Sequence, residues 1–415
     1  MYILQFFYNL SLILFSIGTA IAALFNSKAR KLLVGRIGLL RKIKSEINPD
    51  DKIIWFHAAS LGEFEQGRPV IENLIKEKPE YSILLTFFSP SGYEIRKNYQ
   101  YAKYIYYLPF DYSWNARLFL RIVKPKAIFF IKYEFWLNYI RFSYKQKIPI
   151  YCISANFRPN QIFFKWYGTW YKGFLKKFTH IFVQNSQSAD LLIKAGITNI
   201  KVSGDTRFDR VISISKKSKS FIEVDSFCSG SFVVIAGSTW PPDEEIIVQY
   251  INNSKKQIKY IIAPHEVNNK ENLNDLKRKI NKKILFYSQI GKNEPSNFDV
   301  LIIDNVGMLS SLYKYGDVAY IGGGFGRGIH NILEAATYGI PVVFGPKYTK
   351  FQEAIDLINK KGAFSVNNYD ELEAILENLY QDKNLLVNSG KICKDYIESN
   401  KGATSVIVNH VSSLL

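Results

Sequence analysis

The sequence predicts an α/β protein of two doubly wound halves led by an apolar helix. Three observations carry this. Short apolar runs recur along the chain, each followed by a helical pattern, as buried parallel strands alternating with helices do. The series breaks once, at Ser215-Lys-Lys-Ser-Lys-Ser220, and then begins again. Ahead of both series, residues 1–25 hold no charged side chain. At about 150 residues per domain, 415 residues accommodate two or three domains. The expected division is an anchor helix at 1–25, a basic segment at 26–50, a Rossmann-like half at 51–214, a second at 221–385, and a helical segment at 386–415.

A helix over residues 1–25 would run about 37 Å at 1.5 Å per residue, enough to cross a hydrocarbon core of about 30 Å. The positive flank, Lys28, Arg30, Lys31, Arg36, Arg41, Lys42 and Lys44, follows the apolar run, which puts the body of the chain on the cytoplasmic side of the membrane. Two rival readings are weaker. A cleaved signal peptide would need a basic start and a small-residue cleavage site, and neither stands out. A helix lying in the interface would draw polarity from Gln5, Asn9 and Ser16 but lacks a charged face to hold it flat.

In the first half the apolar runs are Lys52-Ile-Ile-Trp-Phe-His57, Tyr81-Ser-Ile-Leu-Leu-Thr-Phe-Phe88, Lys126-Ala-Ile-Phe-Phe-Ile131, Ile148-Pro-Ile-Tyr-Cys-Ile153 and His180-Ile-Phe-Val183. In the second they are Phe232-Val-Val-Ile-Ala236, Tyr260-Ile-Ile-Ala263, Lys283-Ile-Leu-Phe-Tyr287, Val300-Leu-Ile-Ile303, Val318-Ala-Tyr-Ile321 and Pro341-Val-Val-Phe344. Folds of this kind bind ligands beyond the carboxyl ends of the strands, where helix N-termini meet phosphate.

A chain that is 47% hydrophobic and 22% charged is neither disordered, collagenous nor a disulfide scaffold. The net charge of +18 calls for anionic partners: nucleic acid, anionic lipid or phosphorylated substrates. Cys152, Cys228 and Cys393 are odd in number and lack ligand spacing, which argues for a reducing compartment and against structural zinc. No D-x-D pair suits a nucleotide-bound Mg²⁺, so no metal is expected.

Six segments carry candidate chemistry. Ser60-Leu-Gly-Glu63 sits at a strand-to-helix junction, where Glu63 serves either as a general base or as an acid favoured by the helix dipole. Glu134, in Lys132-Tyr-Glu-Phe-Trp136, is either a desolvated carboxylate of raised pKa or a partner of Lys132. Arg207, in Gly204-Asp-Thr-Arg-Phe-Asp209, offers a planar fork to phosphate or carboxylate, or pairs with Asp205 or Asp209. Ala236-Gly-Ser-Thr239 before Pro241-Pro-Asp reads as a phosphate turn or a good helix cap. Gly322-Gly-Gly-Phe-Gly-Arg-Gly-Ile-His-Asn331, leading to Glu334, is a ligand loop or a structural turn. The stretch from Asn156 to Phe178 interleaves bases with aromatics and contains no acid, which fits anionic headgroups or single-stranded nucleic acid.

Taken in order, His57-Ala-Ala-Ser-Leu-Gly-Glu63, Tyr133-Glu-Phe-Trp136, Gly204-Asp-Thr-Arg-Phe-Asp209, Ala236-Gly-Ser-Thr239, Gly322-Gly-Gly and His330-Asn-Ile-Leu-Glu334 resemble the 3-deoxy-D-manno-octulosonic acid (Kdo) transferases. The resemblance implies the GT-B glycosyltransferase fold. It also implies inverting transfer of Kdo from CMP-Kdo to the lipid A precursor (lipid IVA) in lipopolysaccharide core synthesis, at an inner membrane and with no cofactor; the basic charge beside the anchor adds anionic lipid as a partner. By the same resemblance Glu63 is the base, Glu134 and Arg207 support the transition state, and CMP is held by Pro264, His265, Val306, Gly307, Met308, Asn331, Ile332, Leu333 and Glu334. Arg207 stands where many members have lysine, and Ala263-Pro-His-Glu266 is shorter than the usual Pro-Arg-His-Pro-Glu-Arg. Another membrane-associated GT-B transferase with a different nucleotide sugar is the alternative. Nucleic acid is not expected as a partner, because it accounts for the charge but not for the ordered motifs.

Overall fold

The apolar runs of the first half form a seven-stranded, all-parallel sheet in the computed structural model, which describes residues 2–292 and 294–415. Its strands are β1 (Lys52–Ala58), β2 (Tyr81–Phe87), β3 (Tyr104–Tyr107), β4 (Ala127–Ile131), β5 (Ile150–Ala155), β6 (His180–Val183) and β7 (Ile200–Val202), in the order β3-β2-β1-β4-β5-β6-β7. The order reverses at β1, which is flanked by β2 and β4. A crevice therefore opens beyond its carboxyl end. Trp55, Phe56, Phe129 and Phe130 are fully buried because helices cover both faces of the sheet, and burial of each such side chain contributes about 1.5–3 kcal/mol.

The second series repeats the plan. Strands β8 (Phe232–Thr239), β9 (Ile258–Pro264), β10 (Ile284–Phe286), β11 (Val300–Ile302), β12 (Val318–Ile321), β13 (Val342–Phe344) and β14 (Ala363–Ser365) form a parallel sheet ordered β10-β11-β9-β8-β12-β13-β14. Its reversal falls at β8. Strands β3, β7 and β14 were not among the expected runs, and all three are sheet edges.

Two compact units result, one of Met1–Arg210 with Lys401–Leu415 and one of Val211–Asn400. The division falls inside the helix Thr206–Lys216, just ahead of the polar stretch 215–220. Helix Lys383–Ser399 stays with the second unit, while the last helix, Ala403–Ser412, returns to the first. There Ile407, Val408 and Val411 enter the core beside Ile54 and Val70. The Asp209 carboxylate accepts from the Gly402 and Thr404 N–H groups at 2.6 and 2.7 Å and so fixes the start of this helix.

Helix α1 (Tyr2–Ala22) is followed by α2 (Ser27–Val34) and α3 (Leu39–Glu46). It is the one helix among the described residues long and apolar enough to cross a membrane. It does not stand clear of the first unit. Gln5 donates to Asn138 at 3.1 Å, Tyr8 to Asp111 at 2.6 Å, and Ser16 accepts from Tyr112 at 2.5 Å.

Candidate functional site

Glu63 stands at the switch point of the first sheet. Helix α4 (Leu61–Glu77) begins directly after β1 with Ser60 as its N-cap, and Glu63 occupies the third helical position. Its Oε2 accepts from the Ala59 and Ser60 N–H groups at 2.8 and 3.1 Å, and the Ser60 hydroxyl accepts from the Glu63 N–H in return. This is a capping box, so the structural reading of Glu63 holds locally. Burial nevertheless raises its pKa, against the lowering pull of Lys132 and of those two N–H groups.

Glu134 lies in the turn after β4, where Lys132 bends the chain through a left-handed backbone conformation (φ +63°). Burial, then the like charge of Glu63, raise its pKa to about 7. The His57 Nε2 is 3.9 Å from the Glu134 carboxylate, but the two form no ion pair. Fully buried, His57 is pushed down to about 3 and stays neutral. Its Nε2 accepts from the Trp136 indole N–H at 2.9 Å, so Nδ1 carries the proton and donates to the Thr86 hydroxyl at 2.9 Å. That hydroxyl also accepts from the Trp55 indole at 2.7 Å. Trp55, Thr86, His57 and the partly buried Trp136 thus form one hydrogen-bonded chain that fixes the loop carrying Glu134.

Arg207 comes from beyond β7, four strands from β1. It reaches the same region because Thr206 bonds back to the Gln66 carbonyl of α4 at 2.5 Å and to Ser154 at 3.0 Å. The Arg207 Nε and Nη2 both meet the Asp205 carboxylate at 2.8 Å, and the side chain keeps 28% exposure. Of the two partners weighed from sequence, Asp205 takes the ion pair and Asp209 the helix cap. Lys132 belongs to the same cluster: burial lowers its pKa, Glu63 raises it, and Arg207 lowers it. Its electrostatic partner is therefore Glu63 rather than Glu134. Sequence reading did not select Lys132 or His57 as site residues. A lysine adjoining a motif and a histidine inside an apolar strand carry no spacing signal.

The nine residues proposed for CMP all lie at or beyond carboxyl ends in the second sheet: Pro264 as the last residue of β9 with His265 after it, Val306 to Met308 after β11, and Asn331 to Glu334 after β12. The His265 ring stacks on Trp240 at 4.6 Å and on His330 at 4.5 Å, while the Trp240 indole donates to the His330 Nε2 at 3.0 Å. Burial, then His265, lower the His330 pKa to about 4, which keeps that nitrogen an acceptor. Val306 is exposed and Gly307 has φ +89°, whereas Met308, Ile332 and Leu333 are buried. The last three can offer a ligand only backbone. The Asn331 side chain accepts from the Leu333 N–H at 3.3 Å and donates to Glu334 at 3.1 Å.

The glycine loop has a packing reason of its own. A Cβ on Gly324 would stand 2.6 Å from the backbone of Gly345, and one on Gly322 would overlap the backbone of Ser238 and Thr239. The buried Asp243 carboxylate ties the loop down, accepting from the Gly323 and Trp240 N–H groups at 2.8 and 3.0 Å. Gly324→Ala is therefore expected to cost about 1–3 kcal/mol of stability, read as a lower melting temperature. An unchanged melt would mean that the loop has room to move. Among the described residues, no group of three or more His, Cys, Asp or Glu side chains gathers at metal-ligating distance.

Two parallel seven-stranded sheets, each reversing its strand order at a central strand, define an α/β protein of the GT-B fold class. The solved UDP-GlcNAc 2-epimerase of Neisseria meningitidis shares this fold at 16% identity, with a TM-score of 0.61 over 87% of this chain and all of that one. A UDP-N-acetylglucosamine 2-epimerase structure from Listeria monocytogenes does so at 11% identity and a TM-score of 0.59, over 88% of this chain and 96% of that one. Sequence comparison gives the family. The 3-deoxy-D-manno-octulosonic-acid transferase (kdotransferase) model matches residues 33–210. The 3-deoxy-D-manno-octulosonic acid transferase of Aquifex aeolicus is 30% identical over 336 residues, covering 80% of this chain and 86% of that one. That of Rickettsia bellii is 27% identical over 388 residues, covering 89% of each. The chain belongs to the Kdo transferase family of glycosyltransferases.

Proposed function

We propose that the protein transfers Kdo from CMP-Kdo to the lipid A precursor at the cytoplasmic face of a membrane, with inversion at the anomeric carbon. The observation that carries the reading is Glu63: a carboxylate of burial-raised pKa at the switch point of the first sheet, held by two backbone N–H groups. Its family membership supplies the sugar, and the resemblance supplies donor and acceptor.

In the proposed reaction an acceptor hydroxyl attacks the anomeric carbon from the side opposite the departing CMP. The C–O bond to the acceptor forms as the bond to the CMP phosphate breaks. Glu63 takes the hydroxyl proton, for which a pKa above the ordinary carboxylate range improves its match to neutral pH. Lys132 and Arg207 supply positive charge beside it for an anionic sugar and its leaving phosphate. The Arg207 fork is already oriented by Asp205, so little side-chain entropy is lost when it engages a ligand. Donor contacts fall to Pro264, His265, Val306 to Met308 and the run Asn331 to Glu334 in the second unit.

The test is CMP release from CMP-Kdo in the presence of a tetraacylated lipid A precursor, with the lipid followed by mass spectrometry. One or more Kdo-sized additions are expected. A folded, membrane-reconstituted protein that releases no CMP and adds no mass would overturn the donor or acceptor assignment. Competition between CMP and UDP nucleotides would then identify the donor.

A further inference from the structure

Helix α1 is amphipathic in an inverted sense. Its inner stripe, Gln5, Tyr8, Asn9, Leu12, Ser16 and Thr19, follows the i, i+3, i+4 helical period and is mostly polar, yet this stripe is the face turned to the protein. Gln5 and Asn9 bond to the Asn138 side chain at 3.1 and 3.0 Å. Tyr8 donates to Asp111 at 2.6 Å and accepts from the Leu137 N–H at 3.3 Å, and Tyr112 donates to Ser16 at 2.5 Å. The outer face is apolar and uncovered: Ile3, Phe6, Leu10, Ile13, Ile17 and Ile21 are all exposed. In water such a contiguous apolar face is a liability.

We propose that α1 lies in the plane of a bilayer as a monotopic helix, pressed against the first unit, rather than crossing the membrane. The docking contacts run from Gln5 to Ser16, about 16 Å of helix axis at 1.5 Å per residue. A crossing helix with these contacts intact would carry the partner loops more than halfway through a hydrocarbon core of about 30 Å. Asp111 and Asn138 would go with them, as would Arg117 and Arg141, whose guanidinium groups lie over the Phe142 ring on the helix that carries Asn138, at about 2.5–3.5 kcal/mol per charged group by insertion scales. A crossing helix without the contacts would leave Gln5, Tyr8 and Asn9 in lipid. Lying flat, α1 meets both demands.

The occupant of the outer face is lipid with anionic headgroups, on two grounds. Lys28, Arg30, Lys31, Arg41, Lys42 and Lys44 are exposed on α2 and α3, and no acidic residue precedes Glu46. Interface-seeking aromatics flank the helix as well: Trp114, 63% exposed, stacks on the Tyr112 that bonds Ser16, and the Trp170 ring lies 6.2 Å from Tyr8. The interfacial reading weighed from sequence lacked a charged face to hold the helix flat. Here the protein itself holds it.

The placement bears on the site. Residues that touch α1 follow β2 (Phe88), β3 (Phe110 and Asp111) and β4 (Asn138), so the helix crosses the same strand ends that carry Glu63 and Glu134. A lipid-borne acceptor would reach those carboxylates without leaving the interface. This consequence rests on the proposed function; the orientation of α1 does not.

Spin labels on Ile3→Cys, Leu10→Cys and Ile17→Cys, all on the outer face of the full chain, test the orientation, since the native cysteines are buried. The protein is bound to phosphatidylcholine vesicles containing about one third phosphatidylglycerol, and depth is read from collision with oxygen against a water-soluble nickel complex. The expected result is three similar depths, about 5–10 Å below the headgroups. Leu10 lying about 10 Å deeper than both Ile3 and Ile17 would mean a spanning helix and overturn the proposal. Three water-accessible labels on bound protein would assign the face to a second copy and also overturn it. Failure to bind the vesicles at all would overturn the membrane reading itself, while leaving Kdo transfer to a detergent-dispersed acceptor as a separate measurement.

Discussion

Replacing Glu63 by glutamine is expected to lower transfer by about 10²–10⁴-fold, the range associated with loss of a positioned general base, while the protein stays folded. The glutamine side-chain oxygen can still accept from Ala59 and Ser60, so the capping box is kept and the helix start with it. What it loses is the capacity to take a proton. Glu63→Ala removes both, and its further cost of about 0.5–2 kcal/mol in stability measures the cap alone. The pair of variants therefore separates the two readings of this residue that the sequence left open. In the parent enzyme kcat/KM should rise with pH through a pKa above the ordinary carboxylate range, because burial raises Glu63. CMP release and a thermal melt on each variant are the measurements. A glutamine variant that keeps more than about a tenth of the activity would remove Glu63 from the role of base.

How much of this was legible beforehand differs between the sheets and the site. The central strands were readable because both faces are buried: β1 is apolar from Ile53 to Phe56, and β4 has no exposed residue. β7 and β14 were not, since each is three residues long and lies at a sheet edge, where one side needs no covering. β3, Tyr104–Tyr107, was hidden for another reason. Its tyrosines bury their rings but send hydroxyls to Glu46, Asp51 and Glu94, so the run does not read as simply apolar. At the site, motif order pointed to Glu63, Glu134 and Arg207, but only the fold explains how Arg207 returns from beyond β7 to the neighbourhood of α4. The reversal of α1 was visible in part. Gln5, Asn9 and Ser16 interrupt the apolar run on one helical face, but a polar stripe of that spacing suits water and protein partners equally.

Glu134→Gln is expected to make the protein more stable at pH 8 and much less active, and the two effects have one cause. Burial and the charge of Glu63 raise the Glu134 pKa from 4.5 to about 7. Between those values the folded chain holds a proton that the unfolded chain has released, so stability falls as pH rises through this window. Above pH 7 the folded state carries the full penalty, at most about 3 kcal/mol at 1.36 kcal/mol per pKa unit; the 23% side-chain exposure lets solvent screen part of it. Glutamine carries no charge and escapes the penalty. Its melting temperature should therefore exceed that of the parent at pH 8 and converge with it near pH 4, where Glu134 is protonated in both states. The loop should stay in place, because the chain from Trp55 through Thr86 and His57 to Trp136 does not pass through Glu134. Activity should fall by about 10²–10³-fold if the carboxylate acts on developing charge in the transition state. A residue whose ionised form costs stability and whose removal costs only rate is one retained for chemistry. A Glu134→Gln protein that is less stable at pH 8, or equally active, would make Glu134 a structural residue and leave Glu63 to act with Lys132 and Arg207 alone.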